Sequence, residues 1–263
     1  MRLTPNQIAV IACLAAMVLV AGAQTNVSNN QMDEAYAHYF SKIRQMLPPH
    51  SARPPLLDLT KSKIDDSGND RAWEKEYTLS VREGGIVDPG VHNPSDAMSI
   101  ATTFLDTAGR PDALPARGCE GVIMGEPIAS KVRISPDRNF VYSRFSVQIS
   151  NVLKGNKNAG LQKGALVTAV QFGGSVRFPS GHLTTFILAQ QGFIELNKQY
   201  VLFIWRPSES RKTYMIAQAY LIDNGIAFPV STDADVSAYE KGMPLDKFEA
   251  RVKSAIKKNI DTN

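Results

Sequence analysis

Cysteine is nearly missing from this chain: 263 residues contain two, Cys13 and Cys119. A small disulfide-stapled secreted module is excluded, because such scaffolds carry cysteines in dense, paired sets. A strong excess of one charge is missing too. The formal net charge is +4, and the basic residues are dispersed except in the C-terminal run RVKSAIKKN, so nothing resembles the basic stripe that nucleic acid requires. Disorder and repetitive arrays are not indicated either, since 43% hydrophobic and 21% charged residues are globular values.

Catalytic signatures are equally sparse. There is no G-x-S-x-G elbow, and the Gly173-Gly174 pair lacks the Lys-Ser/Thr and the following helix of a phosphate loop. The acidic run DDSGND, from Asp65 to Asp70, resembles a calcium loop at first sight, but its glycine falls at the fourth place instead of the sixth. No catalytic, cofactor-binding or metal-ligand set is read from the sequence.

What is present begins with a leader. In MRLTPNQIAVIACLAAMVLVAGAQ, Arg2 precedes an apolar run from Ile8 to Val20, and Ala21-Gly22-Ala23 supplies a small-x-small cleavage site. Residues 1–23 are expected to be a signal peptide, too short for a permanent membrane span of about 20 apolar residues. The expected location is secreted or periplasmic. Val10-Ile11-Ala12-Cys13 loosely resembles a lipobox, but much of the apolar core follows Cys13, so lipidation is not favoured. With Cys13 lost in the leader, Cys119 has no intrachain partner. Asn26-Val27-Ser28 matches a glycosylation acceptor, which matters only in a eukaryotic secretory route.

Residues 24–117 read as a helical, loop-rich region packed on a barrel formed by residues 118–230. Met32, Tyr36, Tyr39, Phe40, Ile43 and Leu47 recur at helical spacing before Pro48-Pro49, predicting a helix over 31–47. A short element is expected at LLDLT and a strand at 76–82. A second helix is expected across residues 95–108, with Ser95 as its cap and Gly109 as its stop.

Residues 118–230 read as the β domain. Strands are expected at 120–134, 140–155, 165–172, 175–178, 183–188, 200–205 and 213–222, and Asn224-Gly225 marks a tight hairpin. In the fourteen residues after Phe140, Val141, Phe145, Val147, Ile149 and Leu153 alternate with polar neighbours, predicting one buried face. YVLFIW does not alternate, so both its faces need cover. The helix expected over residues 244–259, in the C-terminal segment 231–263, and the N-terminal helix are the available covers. The class is mainly β with flanking helices, an antiparallel and nearly closed barrel.

The order GCEGVIMGEPIASK, FVYSRFSVQISNVLKG, GALVTAVQFGG, YVLFIW, YMIAQ resembles a group of uncharacterised secreted bacterial β-rich proteins, over roughly residues 118–230. The resemblance implies an OB-like β-barrel, similar in architecture to tissue inhibitors of metalloproteinases. It carries no activity. The inhibitors' chelating N-terminal cysteine has no counterpart in the internal Cys119.

Two sets of residues stand out as candidates. Cys119 would need a base to act as a nucleophile, yet His38, His50, His92 and His182 are scattered without a local motif. A buried structural thiol is the favoured reading, and a small hydrolase using Cys119 the alternative. Around the glycine corner, Phe172, Arg177, Phe178, His182 and Phe186 could form a binding patch at a barrel mouth. The functional expectation is a non-enzymatic binding module whose partner is an envelope protein or a polysaccharide, not nucleic acid. A structural envelope component is the other alternative.

Overall fold

The computed structural model describes residues 38–61, 98–103, 112–135, 140–155, 160–206, 213–232 and 236–260. The expected leader, the strand expected at 76–82, Cys13 and His92 lie outside these residues, as does the first part of the helix expected over 31–47. The described chain is mainly β with two helices. These are α1 at residues 38–46 and α2 at Leu245–Ile260.

Among the described residues, eleven strands run in chain order: β1 (Leu56–Asp58), β2 (Met98–Thr103), β3 (Gly121–Ile134), β4 (Val141–Lys154), β5 (Leu166–Phe172), β6 (Gly174–Arg177), β7 (Leu183–Leu188), β8 (Gln199–Trp205), β9 (Thr213–Asp223), β10 (Ile226–Pro229) and β11 (Met243–Pro244). The larger sheet runs β11-β10-β9-β5-β4-β3-β8, and a further β8–β9 pairing closes its five central strands into a ring. Ile123, Phe145, Val147, Ile149, Val167, Leu202, Ile204 and Tyr214 cluster in one core. The expected alternation in β4 thus follows the period-two geometry of a strand with one face inward.

YVLFIW behaves as its composition requires. Leu202 and Ile204 join that first core, whereas Val201 and Phe203 pack outside it with Phe248 and Val252 of α2. The apolar stripe of α2 therefore covers the second face of β8. Asp246 stands in its first turn, where a negative charge favours the helix dipole.

Four expectations are corrected. First, the segment read as helix at 95–108 is a strand where it is described. β2 pairs in parallel with β7, from Met98 against Leu183 to Thr103 against Leu188. Ile100, Thr102 and Thr103 are β-branched, a residue type that suits a pleated surface, and the pairing partner overrode a helical spacing of alanines. Second, β6 and β7 leave the ring. They form a separate four-stranded sheet, β1-β6-β7-β2, to which strands from before residue 118 contribute both edges. Third, the sheets are not wholly antiparallel: β1–β6, β2–β7 and β5–β9 are parallel. Fourth, α1 does not cover β8. Its Tyr39 and Ile43, with Leu47 just beyond, pack with Leu183 and Ile187 of the smaller sheet and with Phe193 after it.

The glycine corner makes that second sheet reachable. Gly173 and Gly174 have φ of 90° and 144°, angles that favour glycine, and they turn the chain from β5 directly into β6. The Ser143 hydroxyl donates to the Gly173 carbonyl at 2.7 Å and locks the corner to β4. The far ends of β3 and β4 extend beyond the ring, where Val132, Ile134 and Val141 pack with Val176 and Phe178. Among the described residues, no helix is long and apolar enough to cross a membrane.

Candidate functional site

Of the five residues expected to form a patch, Phe178, His182 and Phe186 lie together, the Phe178 and His182 rings 6.4 Å apart, and Phe172 packs elsewhere. Phe172 is buried with Phe140, Tyr142, Val170, Leu188 and Met215. Phe178 is buried in the cluster between the two sheets, with Phe186 half-buried against it. Arg177 is half-buried at the end of β6. Phe172 and Phe178 therefore spend their apolar surface on packing.

His182 is only 4% exposed. Its Nε2 lies 2.9 Å from the Ser99 hydroxyl, which is also 2.9 Å from the Thr184 hydroxyl. Its Nδ1 has no hydrogen-bond partner among the described residues. A buried orphan N–H is costlier to leave than an unused acceptor lone pair, which favours the tautomer with the proton on Nε2. His182 then donates to Ser99 instead of accepting its proton, the reverse of nucleophile activation. Tyr39 completes the polar cluster, its hydroxyl donating to the Ser99 carbonyl at 2.9 Å and lying 2.7 Å from the Thr185 hydroxyl, from which it can accept. The cluster ties α1 to β2 and β7.

Cys119 is buried. Burial pushes its thiol up to about 12, against a weaker opposing pull from the Lys154 ammonium. That ammonium donates to the carbonyls of Ala116 at 2.7 Å and Cys119 at 2.6 Å. A nucleophilic cysteine needs the opposite environment. No group of three His, Cys, Asp or Glu side chains among the described residues is placed to hold a metal ion.

A half-open cleft of about 1090 Å3 lies elsewhere, at one end of the ring. One wall is α1 and the segment after it, with Phe40, Ser41, Arg44, Arg53, Pro54 and Pro55. The turn Ile194 to Asn197, Ser130 of β3 and Phe145 of β4 also line it.

Each wall is held in place by named bonds. Ala52 forms an isolated antiparallel bridge with Phe193, its N–H donating to the Phe193 carbonyl at 2.8 Å. The Phe193 N–H donates to the Ser51 hydroxyl at 2.8 Å. The buried Gln171 side chain donates to the Gly192 carbonyl and accepts from the Ile194 N–H at 3.4 Å. Glu195 N–H donates to the Tyr200 hydroxyl at 2.8 Å, and Asn197 N–H to the Pro127 carbonyl at 2.9 Å. Burial pushes the Tyr200 phenol up to about 12, with its bond to Glu195 a smaller opposing effect.

The charged groups of the cleft are also fixed. Arg44 donates to the carbonyls of Pro49 and, at 2.9 Å, Ser51. Arg53 stands over the Phe40 ring at 5.3 Å, within cation–π range. Beside Arg44, His50 stacks on Phe228 at 4.3 Å. Partial burial and then the Arg44 charge hold the His50 imidazole below its ordinary range, against an opposing pull from Asp223.

A second groove of about 260 Å3 shares Ser130 and Phe145 with the cleft and adds Lys131, Arg133, Arg144, Ser146 and Thr168. It lies on neighbouring positions of β3, β4 and β5, with Lys131 paired opposite Arg144 and Ser146 opposite Thr168. Neither concavity is legible in the sequence. Arg44 reads there only as a helix-end cation, and no local pattern joins residues near 50 to residues near 195.

No family model matches the chain, and no curated protein matches it in sequence.

Proposed function

We propose that this chain is a secreted or periplasmic, non-enzymatic binding module that takes its ligand in the cleft between α1, residues 51–55 and the 194–197 turn. The observation that carries this reading is the cleft itself: guanidinium, carboxylate, hydroxyl, amide and ring surfaces converge on a half-open space of about 1090 Å3, larger than a drug-sized site requires. The ring supports reading the architecture as an OB-like barrel. The meander β3-β4-β5 is followed by β8 and β9, with β9 parallel to β5 and β8 returning to β3, and such barrels bind ligands on strand faces and adjoining loops.

The reading that makes Cys119 a hydrolase nucleophile is disfavoured by its buried, raised thiol. A structural envelope component remains the second reading, distinguished by a permanent partner instead of an exchangeable one.

The test is capture by the tagged full-length protein, exported by its own host, set beside a Ser130→Trp variant that fills the cleft. A ligand or envelope component captured by the native chain and lost by the folded variant is the expected result. An unchanged capture profile in the variant overturns the cleft as the site.

A further inference from the structure

Resting on the cleft reading, we infer that Gln171 is the positioning residue of the cleft. Its side chain lies outside the lining and touches no ligand, and its buried amide holds the 192–197 wall in the arrangement that receives one.

The wall is irregular yet closely held. Residues 192–197 belong to neither sheet, and the β pairing they make among the described residues is the Ala52–Phe193 bridge. Segments of this kind are ordinarily mobile. Here four consecutive N–H groups each donate to a side-chain oxygen from a different part of the chain: Gly192 to Ser231 at 3.4 Å, Phe193 to Ser51 at 2.8 Å, Ile194 to Gln171 at 3.4 Å and Glu195 to Tyr200 at 2.8 Å. Gly192 is also pressed against the residue after β10, where a Cβ would collide with the Val230 carbonyl oxygen.

Gln171 differs from the other three partners. The side chains of Ser231, Ser51 and Tyr200 each supply one bond to this segment, whereas the Gln171 amide makes two, accepting from the Ile194 N–H and donating to the Gly192 carbonyl. The two bonds bracket Phe193, so one side chain does what a neighbouring strand would do. Gln171 is 1% exposed and stands on β5 opposite Ser143 of β4, on the inward face it shares with Val167 and Ala169. The wall is thereby positioned from inside the ring. Gly192 and Ile194 are both buried, and removing the amide would strand an N–H and a carbonyl there at once, which is costlier than losing the bonds themselves.

That location bears directly on recognition. Ile194, Glu195, Leu196 and Asn197 line the cleft, and so do Ser51 and Ala52, which hold Phe193 from the other side. A site whose walls are fixed before the ligand arrives avoids the cost of ordering them, and a packed, hydrogen-bonded side chain behind the site supplies that rigidity.

The test follows amide hydrogen exchange in the full exported chain together with the capture assay. Gln171→Met, of similar length but unable to make either bond, should speed exchange at Ala52, Phe193 and Ile194 by at least about ten-fold while β3 and β8 keep native rates, and the captured component should be lost. Gln171→Glu separates bonding from filling space. A neutral carboxyl keeps one donor and one acceptor, whereas an ionised one has no donor and sets an oxygen against the Gly192 carbonyl. Relative to the native chain at the same pH, this variant should be protected normally below about pH 4 and progressively less as pH rises through the ionisation of a buried carboxyl. Unchanged exchange at those amides in Gln171→Met, equal loss in every strand, or a Gln171→Glu chain without pH dependence overturns Gln171 as the positioning residue. A loosened wall with capture intact overturns it too, and the Ser130→Trp chain then decides the cleft: capture lost there leaves the cleft reading standing, and capture unchanged there overturns both.

Discussion

Gly173 shows how much one residue decides here. A Cβ at that position would stand 2.6 Å from the Phe186 carbonyl oxygen and 2.8 Å from the Phe193 ring, on a backbone already at positive φ. Gly173→Ala is therefore expected to lose about 2–4 kcal/mol of stability in chemical denaturation. Cys119 yields a second expectation, through pH. Its thiol ionises near 9.0 when unfolded but only near about 12 in the folded chain, so above pH 9 the folded state binds more protons than the unfolded one. Stability is whole below that point and falls as pH rises through the window. The denaturation midpoint should hold below about pH 9 and drop as pH rises above it, and Cys119→Ala should flatten that drop. Both residue types are legible in sequence, as a glycine corner and as a buried structural thiol. The aromatic corner residues are not, because a phenylalanine in a strand looks the same whether it faces a core or a ligand.

Among the elements, strands with one or two buried faces are readable from the chain, and segments whose partners decide them are not. Two letters announce the Asn224-Gly225 turn, and both residues have positive φ, 49° and 75°, as a tight hairpin requires. Gly225→Ala should cost about 1 kcal/mol in chemical denaturation. The C-terminal helix is legible from its stripe. Phe248 is fully buried and meets the rings of Tyr220 at 4.5 Å and Tyr239 at 5.9 Å, so Phe248→Ala should destabilise by about 3–5 kcal/mol in the same assay. Ala97, Ala101, Phe104, Leu105 and Ala108 recur at helical spacing and hide β2. Its true signal is a β-branched run that makes sense only once β7 lies alongside.

The molecule as a whole divides its helices between its two sheets. α1 belongs to the small sheet, through Tyr39 and the Leu183–Ile187 face, whereas α2 belongs to the ring. Unfolding of the two should therefore be separable. A chain lacking residues 1–47 should keep slow amide exchange in β3, β4, β8 and β9 while β6 and β7 exchange much faster, and uniform loss across all strands would contradict this division. The same chain should lose the cleft, since α1 forms one of its walls.

Local chemistry written in the chain dictates the β-rich class, the strands that carry their own period, the hairpin, the glycine corner and the C-terminal helix. Each of these depends on alternation, turn angles or an amphipathic stripe, all contained in a short window. Only folding selects which strands close the ring, sends β6 and β7 out of it, returns β1 and β2 to them in parallel, and brings residues near 50, 130 and 195 together around a cleft. Those outcomes rest on pairings between distant segments, whose energies arise only when both partners are in place, and no window of sequence contains both.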